Sequence, residues 1–220
     1  MVRNMFALQL ALAVAPLIGW GLGDLEGFAS NPARIAVVAV AITSCSLVAR
    51  QQTLGDPFAK GVHVPSGAQS ALLVLGIMSV PIVLGGFAYA DRRNLWVAND
   101  RVIVRSLGLL MYSVGEGVRI VALRALGPQY SAHVTVQRHH SLVRAGIYRL
   151  VRHPIYLAQT LAVPGMALAF RSLLAGPLLL ISVLFVSKRI KNEEALLERT
   201  FPGEFEEYRR ETWRLLPYVY

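Results

Sequence analysis

The chain has 220 residues, of which 55% are hydrophobic and only 16% are charged, and its mean hydropathy is +0.49. Soluble domains usually carry about 25% charged residues, so this composition excludes an ordinary soluble fold and indicates a polytopic helical membrane protein. The formal charge of +9 does not indicate a nucleic-acid partner, because the cations flank apolar runs. That arrangement fits membrane lipids with anionic head groups as partners.

Six apolar segments predict the transmembrane helices. A spanning helix needs about 20 predominantly apolar residues, and the second, fifth and sixth segments are short by that measure. In chain order the segments are Met5–Leu22, Ile35–Ala49, Ser70–Ala90, Val104–Leu126, Pro154–Phe170 and Leu173–Ser187. We expect an all-α fold of about six transmembrane helices, with the first helix retained and not cleaved as a signal peptide.

Two local patterns predict close packing of helices. Only Arg171 and Ser172 separate the last two segments, which predicts a tight C-terminal helical hairpin. The glycines of "GWGLG", Gly19 to Gly23, lack the flanking strand of a dinucleotide-binding fingerprint and indicate close helix contact.

The distribution of cations predicts the orientation in the membrane. Cations are concentrated between residues 124 and 152 and in the tail from Lys188, which places both regions in the cytoplasm. Six spans then place the N-terminus in the cytoplasm too. The loop "DRRNLWVANDR" opposes this assignment with Arg92, Arg93 and Arg101, which Asp91 and Asp100 partly offset.

The tail after the sixth segment is too polar to cross a bilayer. It has a helical pattern up to Pro202, and aromatic residues then alternate with arginines, as in a helix at the membrane interface. We expect a cytoplasmic C-terminal helix there. The chain accordingly divides into N-terminal helices of unassigned role, residues 1–100, and a core with a cytoplasmic pocket, residues 101–220.

The stretch "RLVRHPIYLAQ", residues 149–159, places cations, a proline and a tyrosine between apolar segments. Pro154 fixes its own φ and disfavours the helical region for His153, so it suits the first position of the fifth helix. The first N–H groups of that helix then lie at its positive end, close to Tyr156. The stretch is either a cytoplasmic flank with an ordinary helix start or a site for polar atoms of a ligand.

A pair of charged residues follows the last span. Arg189 and Glu193 are four residues apart and share one helix face, whereas Glu194 points about 100° away. Such a pair is commonly a surface salt bridge that contributes under about 1 kcal/mol. Here the short hairpin would fold the pair back beside the loop of His153, which allows a functional role.

Two further groups of ionisable residues are candidates for functional roles. Glu116 and Arg119 lie inside the fourth span, where they either pair with each other near its cytoplasmic end or line the pocket. His133, His139 and His140 lack a carboxylate or cysteine at a recognised spacing, so we expect no metal site.

The order of several motifs resembles one family of membrane enzymes. The segment "HSLVRAGIYRLVRHPIYLAQ", followed by "RIKNEEALLERTFPGEFEEYRRETWRLLP", is similar to the isoprenylcysteine carboxyl methyltransferase family. That family is related to phospholipid and thiol methyltransferases. The resemblance runs from about Leu107 to Pro217, and Ala158 departs from it because the family pattern commonly has glycine there.

The resemblance implies S-adenosylmethionine as the cosubstrate, in a pocket formed by the loop and the tail. The residues that match its cosubstrate contacts are Gln137, His140, Ser141, Leu142, Val143, Tyr148, His153, Pro154, Ile155, Tyr156 and Glu193. It implies that Arg189 is catalytic and engages the methyl acceptor, and Glu116 and Arg119 are candidates for the acceptor side.

The sequence leaves several functions open. Methyl transfer from an activated donor mainly needs alignment and a dry pocket, and an arginine opposite the donor favours a lipophilic carboxylate as acceptor. A phospholipid amine or a thiol is the alternative acceptor. A sterol-reductase-like enzyme with a nicotinamide cofactor and a non-catalytic membrane adaptor are the competing classes.

Overall fold

The computed structural model describes residues 11, 14–50, 81–127, 130 and 141–218 of the chain. Within these ranges the regular secondary structure is helical, which confirms the predicted all-α class. The helices are α1 (residues 14–20), α2 (Leu25–Ala29), α3 (Pro32–Ala49), α4 (residues 81–93), α5 (Val102–Leu126), α6 (Pro154–Ala169), α7 (Ala175–Thr200) and α8 (Glu204–Glu211). Short 3-10 turns occupy Leu22–Asp24 and Gly146–Arg149.

Two of the described helices, α3 and α5, are long and apolar enough to cross a membrane, and α6 is a shorter apolar helix of 16 residues. These three coincide with the predicted second, fourth and fifth spans. The predicted first and third spans extend into residues outside the described ranges, so the total of six spans stays a prediction.

The helix starts follow from local chemistry. Asn31 caps α3, because its side-chain oxygen accepts a hydrogen bond from the N–H of Ala33 at 3.0 Å and Pro32 occupies the first helical position.

Helix α1, nearer the N-terminus, packs closely against α4, because a Cβ atom on Gly19 would collide with the carbonyl group of Gly85. The close contact predicted for "GWGLG" is therefore present at Gly19.

Helices α5 and α6 pack with their backbones close together. A Cβ atom added to Gly165 of α6 would lie 2.6 Å from the backbone nitrogen of Tyr112, and one added to Gly115 of α5 would lie 2.9 Å from the carbonyl oxygen of Ala158. Small residues at such positions let neighbouring transmembrane helices gain van der Waals contact. This packing fixes where the first residues of α6 lie relative to α5.

Helices α6 and α7 are joined by a short turn. Helix α6 ends at Ala169 and α7 begins at Ala175, and the turn is closed by a 2.8 Å hydrogen bond from the N–H of Ser172 to the carbonyl of Ala167. Helix α7 is longer than the predicted sixth span, because it continues without a break through the charged residues to Thr200. The hairpin thus brings the polar half of α7 back to the start of α6.

A buried ion cluster lies at the hairpin end of α6. Asp91 is fully buried and accepts hydrogen bonds from Arg34 at 2.9 Å, from Arg105 at 3.0 Å and from Arg171 at 2.6 Å. We call these four residues the Asp91 cluster. Arg105 also pairs with the half-exposed Asp100 at 2.6 Å. Because the cluster joins α3, α4, α5 and the hairpin turn, it ties residues on both sides of the predicted division at residue 100.

The Asp91 cluster corrects the interpretation of the "DRRNLWVANDR" loop. Asp91 does not offset the neighbouring exposed cations Arg92 and Arg93. It neutralises buried arginines that come from distant parts of the sequence. A buried carboxylate is retained only when it is paired and hydrogen-bonded, and three guanidinium groups meet that requirement here.

Candidate active site

The turn before α6 has the geometry that the sequence predicts. His153 has φ −124° and ψ 56°, outside the helical region, and Pro154 is the first residue of α6. Val151, Arg152, His153 and Pro154 are all buried. The 3-10 turn Gly146–Arg149 precedes them, and Gly146 occupies the left-handed region with φ 61°. The turn is therefore a fixed, buried element and not a solvated flank.

The side chains of Tyr156, Arg189 and Glu193 meet at one hydroxyl group. Tyr156 donates its phenol proton to Glu193 at 2.5 Å and accepts a hydrogen bond from Nε of Arg189 at 2.7 Å. The guanidinium group of Arg189 also lies 5.5 Å from the centre of the Tyr156 ring. We call these residues the Tyr156 cluster. The shared helix face predicted for Arg189 and Glu193 is confirmed by their common partner.

His153 lies between the Tyr156 cluster and a second acidic residue. Its Nδ1 atom is 4.0 Å from Oε1 of Glu193, and its Nε2 atom is 3.2 Å from Oε1 of Glu194. The rings of His153 and Tyr156 are 5.7 Å apart between centres and tilted by 30°. The hairpin therefore brings Glu193 beside His153, as the sequence predicted.

Glu194 is a buried residue that the sequence reasoning did not select. Its carboxylate accepts hydrogen bonds from Arg152 at 3.3 Å, from His153 at 3.2 Å and from Arg214 at 2.7 Å. We call these four residues the Glu194 cluster. Burial raises the pKa of Glu194, but the hydrogen bonds from His153 and Arg214 more than offset this and bring it to about 2. The residue is thus ionised and accepts hydrogen bonds without donating any.

Residues 212–214, which we call the C-terminal strap, run beside the turn that precedes α6. The N–H of Arg152 donates to the carbonyl of Trp213 at 2.8 Å, the N–H of His153 donates to the carbonyl of Arg214 at 3.2 Å, and the N–H of Trp213 donates to the carbonyl of Leu150 at 3.0 Å. The guanidinium group of Arg152 also bonds to Thr212. The strap therefore fixes the backbone of the turn.

The loop on the other side of the turn packs on α8. Tyr208 donates its hydroxyl proton to the carbonyl of Tyr148 at 2.7 Å, and Arg144 pairs with Glu207 at 3.0 Å. Burial raises the pKa of Tyr148 far above its ordinary value, and the negative charge of Glu193 raises it further, so Tyr148 stays neutral next to the carboxylate. Of the other loop residues, Ser141 is exposed.

The remaining residues predicted to contact the cosubstrate differ in their burial and in their neighbours. Leu142 and Val143 are half-buried in the loop, and Ile155 packs against the apolar cluster of Val48, Ile120 and Leu123. These contacts place Ile155 on the side of α6 that faces α3 and α5. Gln137 and His140 lie outside the described residues, as do His133 and His139, so their predicted roles stay predictions.

Glu116 and Arg119 pair with each other inside α5. Nη2 of Arg119 lies 2.6 Å from Oε2 of Glu116 and 2.7 Å from Oγ of Ser44, and Ser44 also donates to Glu116. The pair thus forms, as one of the two predicted alternatives has it.

The described residues contain no group of three or more histidine, cysteine, aspartate or glutamate side chains arranged to hold a metal ion. The residues that are present fit a different kind of ligand, one with donor groups. The Glu193 side chain is 31% exposed and carries one oxygen that Tyr156 occupies and one that lies beyond hydrogen-bond distance from His153. Glu193 can therefore accept hydrogen bonds from a ligand beside His153.

Comparisons with known proteins agree with the sequence motifs. The sequence model of the isoprenylcysteine carboxyl methyltransferase family matches residues 107–199. A probable protein-S-isoprenylcysteine O-methyltransferase of Oryza sativa subsp. indica is 32% identical over 119 residues, which are 53% of this chain and 62% of the relative. The protein-S-isoprenylcysteine O-methyltransferase of Saccharomyces cerevisiae is 32% identical over 120 residues, which are 51% of this chain and 48% of the relative.

The chain is also similar to a metal-resistance protein and to a solved structure. The nickel-cobalt-cadmium resistance protein NccN of Alcaligenes xylosoxydans xylosoxydans is 27% identical over 146 residues, which are 66% of this chain and 62% of that protein. The structure of a eukaryotic intramembrane Ras methyltransferase shares the fold with a TM-score of 0.57 and 18% identity, over 96% of this chain and 74% of the other. The chain thus spans about half to two thirds of the length of the curated relatives named here.

Helices α3 and α5 are long and apolar enough to cross a membrane, and the fold is shared with an intramembrane protein, which together support an integral membrane protein. The family match runs from Leu107 of α5 through the turn of His153 and α6 to Arg199 of α7, and so includes Glu116, His153, Arg189 and Glu193. The region of residues 107–199 is thus similar to the isoprenylcysteine carboxyl methyltransferase family.

Proposed function

We propose that the chain is an integral membrane methyltransferase that uses S-adenosylmethionine to methylate the carboxylate of a lipophilic acceptor. The observation that carries this proposal is the meeting of Glu193 and Arg189 at the hydroxyl of Tyr156, directly beside His153. One face of this arrangement offers acceptor atoms for a cosubstrate, and the other offers a cation for an anionic acceptor. The relatives in Oryza sativa and Saccharomyces cerevisiae are named as protein-S-isoprenylcysteine O-methyltransferases, the first as a probable one.

On the cosubstrate side, residues of the chain would bind and orient S-adenosylmethionine. S-adenosylmethionine, when bound, supplies a methyl group on a positively charged sulfur, which makes acid or base catalysis unnecessary. Glu193 and His153 would hold its hydroxyl or ammonium groups, and the half-buried Leu142 and Val143 of the loop would contact its apolar surface. The matched residues Gln137, His140, Ser141, Tyr148, Pro154 and Ile155 complete the proposed set.

On the acceptor side Arg189 would pair with a carboxylate. One carboxylate oxygen forms the new bond to the methyl carbon while the carbon–sulfur bond breaks, and its electron pair goes to sulfur, which becomes a neutral thioether. Because the nucleophile is already an anion, the step needs alignment, which can supply roughly 7–11 kcal/mol, and no proton transfer. Arg119, held by Glu116 and Ser44, is the second cation proposed for the acceptor side.

The acceptor would reach this site from the membrane. The Tyr156 cluster lies where α7 changes from an exposed apolar surface around Ile181 and Leu184 to the charged residues after Ser187. That boundary corresponds to the depth of the lipid head groups. The concentration of cations near it supports a cytoplasmic pocket with both termini on the same side, in a protein of about six spans.

The N-terminal helices, residues 1–100, would support the core of residues 101–220. Helix α3 contributes Ser44 to the pair of Glu116 and Arg119 and Arg34 to the Asp91 cluster. Both contacts hold α3 against α5.

Two other classes of acceptor and two other functions make different predictions. A phospholipid amine or a thiol would not depend on the cation of Arg189. A reductase of the sterol type would bind a nicotinamide cofactor, and an adaptor would bind neither cosubstrate. Titration of the purified protein with S-adenosylhomocysteine and with NADPH separates a reductase and an adaptor from a methyltransferase.

The decisive experiment is transfer of a labelled methyl group from S-adenosylmethionine to an S-prenylated cysteine with a free carboxylate. Its carboxamide and a lipid amine serve as alternative acceptors. We expect label in the carboxylate acceptor alone, and a 10- to 100-fold loss for Arg189→Gln, since a charged hydrogen bond contributes about 1.5–3 kcal/mol. Arg199→Gln, which changes an exposed arginine of the same helix, is the matched control. Equal transfer to the amine, or full activity of Arg189→Gln, contradicts the proposal.

A further inference from the structure

We propose that Glu194 is a positioning residue that fixes His153 in the tautomer with its proton on Nε2, so that Nδ1 is presented as a hydrogen-bond acceptor beside Glu193. The inference rests on the proposed function in one respect, because it takes the cosubstrate as the ligand of His153 and Glu193. It assigns a task to a residue that touches neither reactant and works through the imidazole ring.

The first step is the contact between Glu194 and the ring. An ionised carboxylate can only accept, so the 3.2 Å contact of Oε1 with Nε2 requires the proton on Nε2. A neutral imidazole with a proton on one nitrogen has a lone pair on the other. The same arrangement orients histidines in metal sites and in catalytic triads, where a carboxylate selects the tautomer.

The second step is the surroundings of Nδ1. Oε1 of Glu193 lies 4.0 Å away, too far for a hydrogen bond between the two atoms. Nδ1 and Oε1 of Glu193 therefore form two neighbouring acceptors, 31% of the Glu193 side chain being exposed. Two adjacent acceptors suit a ligand with two adjacent donors, which is the chemistry of a ribose diol or an ammonium group.

The third step is the support of Glu194 itself. Arg214 binds both of its oxygens, with Nε 3.2 Å from Oε1 and Nη2 2.7 Å from Oε2, and Arg152 approaches Oε1 at 3.3 Å. The strap also holds the backbone N–H of His153 at 3.2 Å. The ring is thus held through its side chain by Glu194 and through its backbone by the strap, which lies beyond the family match that ends at residue 199.

The test reads the tautomer directly. The full chain with 15N-labelled histidine is purified in detergent, and His153→Gln identifies the signals of His153. We expect the wild-type signals of a neutral ring with its proton on Nε2 at neutral pH. In Glu194→Gln the amide can present either oxygen or nitrogen to the ring, so we expect two tautomers and a dissociation constant for S-adenosylhomocysteine raised about 10-fold.

A second variant guards against loss of folding. Glu194→Gln leaves Arg152 and Arg214 without a carboxylate, whereas Glu194→Gln combined with Arg214→Met removes one cation together with the anion. We expect the combined variant to fold and to show the same mixed tautomers and weakened binding. Arg210→Met, at an exposed arginine of α8 that pairs with Glu206, is the control and should change neither property.

The outcomes separate this inference from the proposed function. A wild-type ring with its proton on Nδ1, a doubly protonated ring, or unchanged tautomer and affinity in the combined variant would overturn the positioning role. A wild-type protein that does not bind S-adenosylhomocysteine would instead overturn the proposed function, while the tautomer of His153 would still decide whether Glu194 orients the ring.

Discussion

Glu193 and Glu194 are adjacent in the sequence, but they belong to different clusters. Glu193 accepts the hydroxyl proton of Tyr156 and is partly exposed, whereas Glu194 is buried among Arg152, His153 and Arg214. His153 lies between them, with one ring nitrogen toward each carboxylate. The two residues should therefore respond differently to substitution.

Replacing Glu193 should weaken cosubstrate binding with little loss of stability. Glu193→Ala removes the carboxylate proposed to hold the cosubstrate, and a hydrogen bond to a charged group is worth about 1.5–3 kcal/mol. We expect the dissociation constant for S-adenosylhomocysteine to rise 10- to 100-fold, measured by calorimetric titration. Glu198→Ala, at an exposed glutamate of α7, is the control. If Glu193→Ala binds as tightly as the wild type, the assignment of Glu193 is wrong.

The Glu194 cluster should make the fold sensitive to acid. Hydrogen bonds from His153 and Arg214 bring the pKa of Glu194 from an ordinary 4.5 to about 2, so the ionised form is favoured in the folded protein. Its contribution to stability is present above about pH 4.5 and is lost as the pH falls toward 2. We expect the unfolding temperature to drop in that interval.

The control for this pH dependence is the double variant with Glu194→Gln and Arg214→Met. It removes the titrating carboxylate and one of the cations that faces it, leaving Arg152 and His153. Thermal unfolding in detergent at a series of pH values should show a smaller loss between pH 4.5 and 2 than in the wild type. An equal loss would assign the acid sensitivity to other carboxylates.

The Asp91 cluster should dominate stability at the other end of α6. Asp91→Asn removes a fully buried charge that three arginines share, and breaking a buried ion pair costs about 3–5 kcal/mol. Asp100→Asn is the matched control, because Asp100 is 46% exposed and pairs only with Arg105 among these arginines. We expect a large fall in unfolding temperature for the first variant and a small one for the second. Similar falls would show that Asp91 has no special role.

The sequence predicts the contacts that depend on short distances along the chain. The spacing of Arg189 and Glu193 places them on one helix face, and the two residues between the last apolar segments predict the hairpin that carries them back to His153. Proline at position 154 predicts the conformation of His153. Each of these inferences follows from helix geometry or from the fixed φ of proline.

The two buried ion clusters depend on distant parts of the chain, and local patterns do not reveal them. Asp91 binds arginines at positions 34, 105 and 171, and a charged residue near a loop is normally exposed. Helix geometry places Glu194 on a different side of the helix from Glu193. The tail that covers Glu194, with Arg214, lies 20 residues farther along the chain, so local spacing does not reveal it. The one sequence signal that could have indicated separate roles for Glu193 and Glu194 is that these two carboxylates are adjacent in a helix and have cations on both sides.

The close packing of α5 and α6 gives a final prediction, because the two glycines Gly115 and Gly117 of α5 differ in their surroundings. A Cβ atom on Gly115 would lie 2.9 Å from the carbonyl oxygen of Ala158 and 3.0 Å from the nitrogen of Ala162, whereas one on Gly117 meets no atom within 4 Å. Gly115→Ala should force the helices apart at a cost of about 1–3 kcal/mol. Gly117→Ala should be neutral or stabilise the protein by up to about 1 kcal/mol, since alanine favours helix.

Activity should follow the same contrast between the two glycine variants. His153 directly precedes α6 and Tyr156 lies in its first turn, so a shift of α6 away from α5 would move both residues relative to the pair of Glu116 and Arg119. We expect Gly115→Ala to lower both the unfolding temperature and the rate of labelled methyl transfer, with Gly117→Ala retaining both. Equal behaviour of the two variants would mean that the close approach of the helices does not hold the site in place.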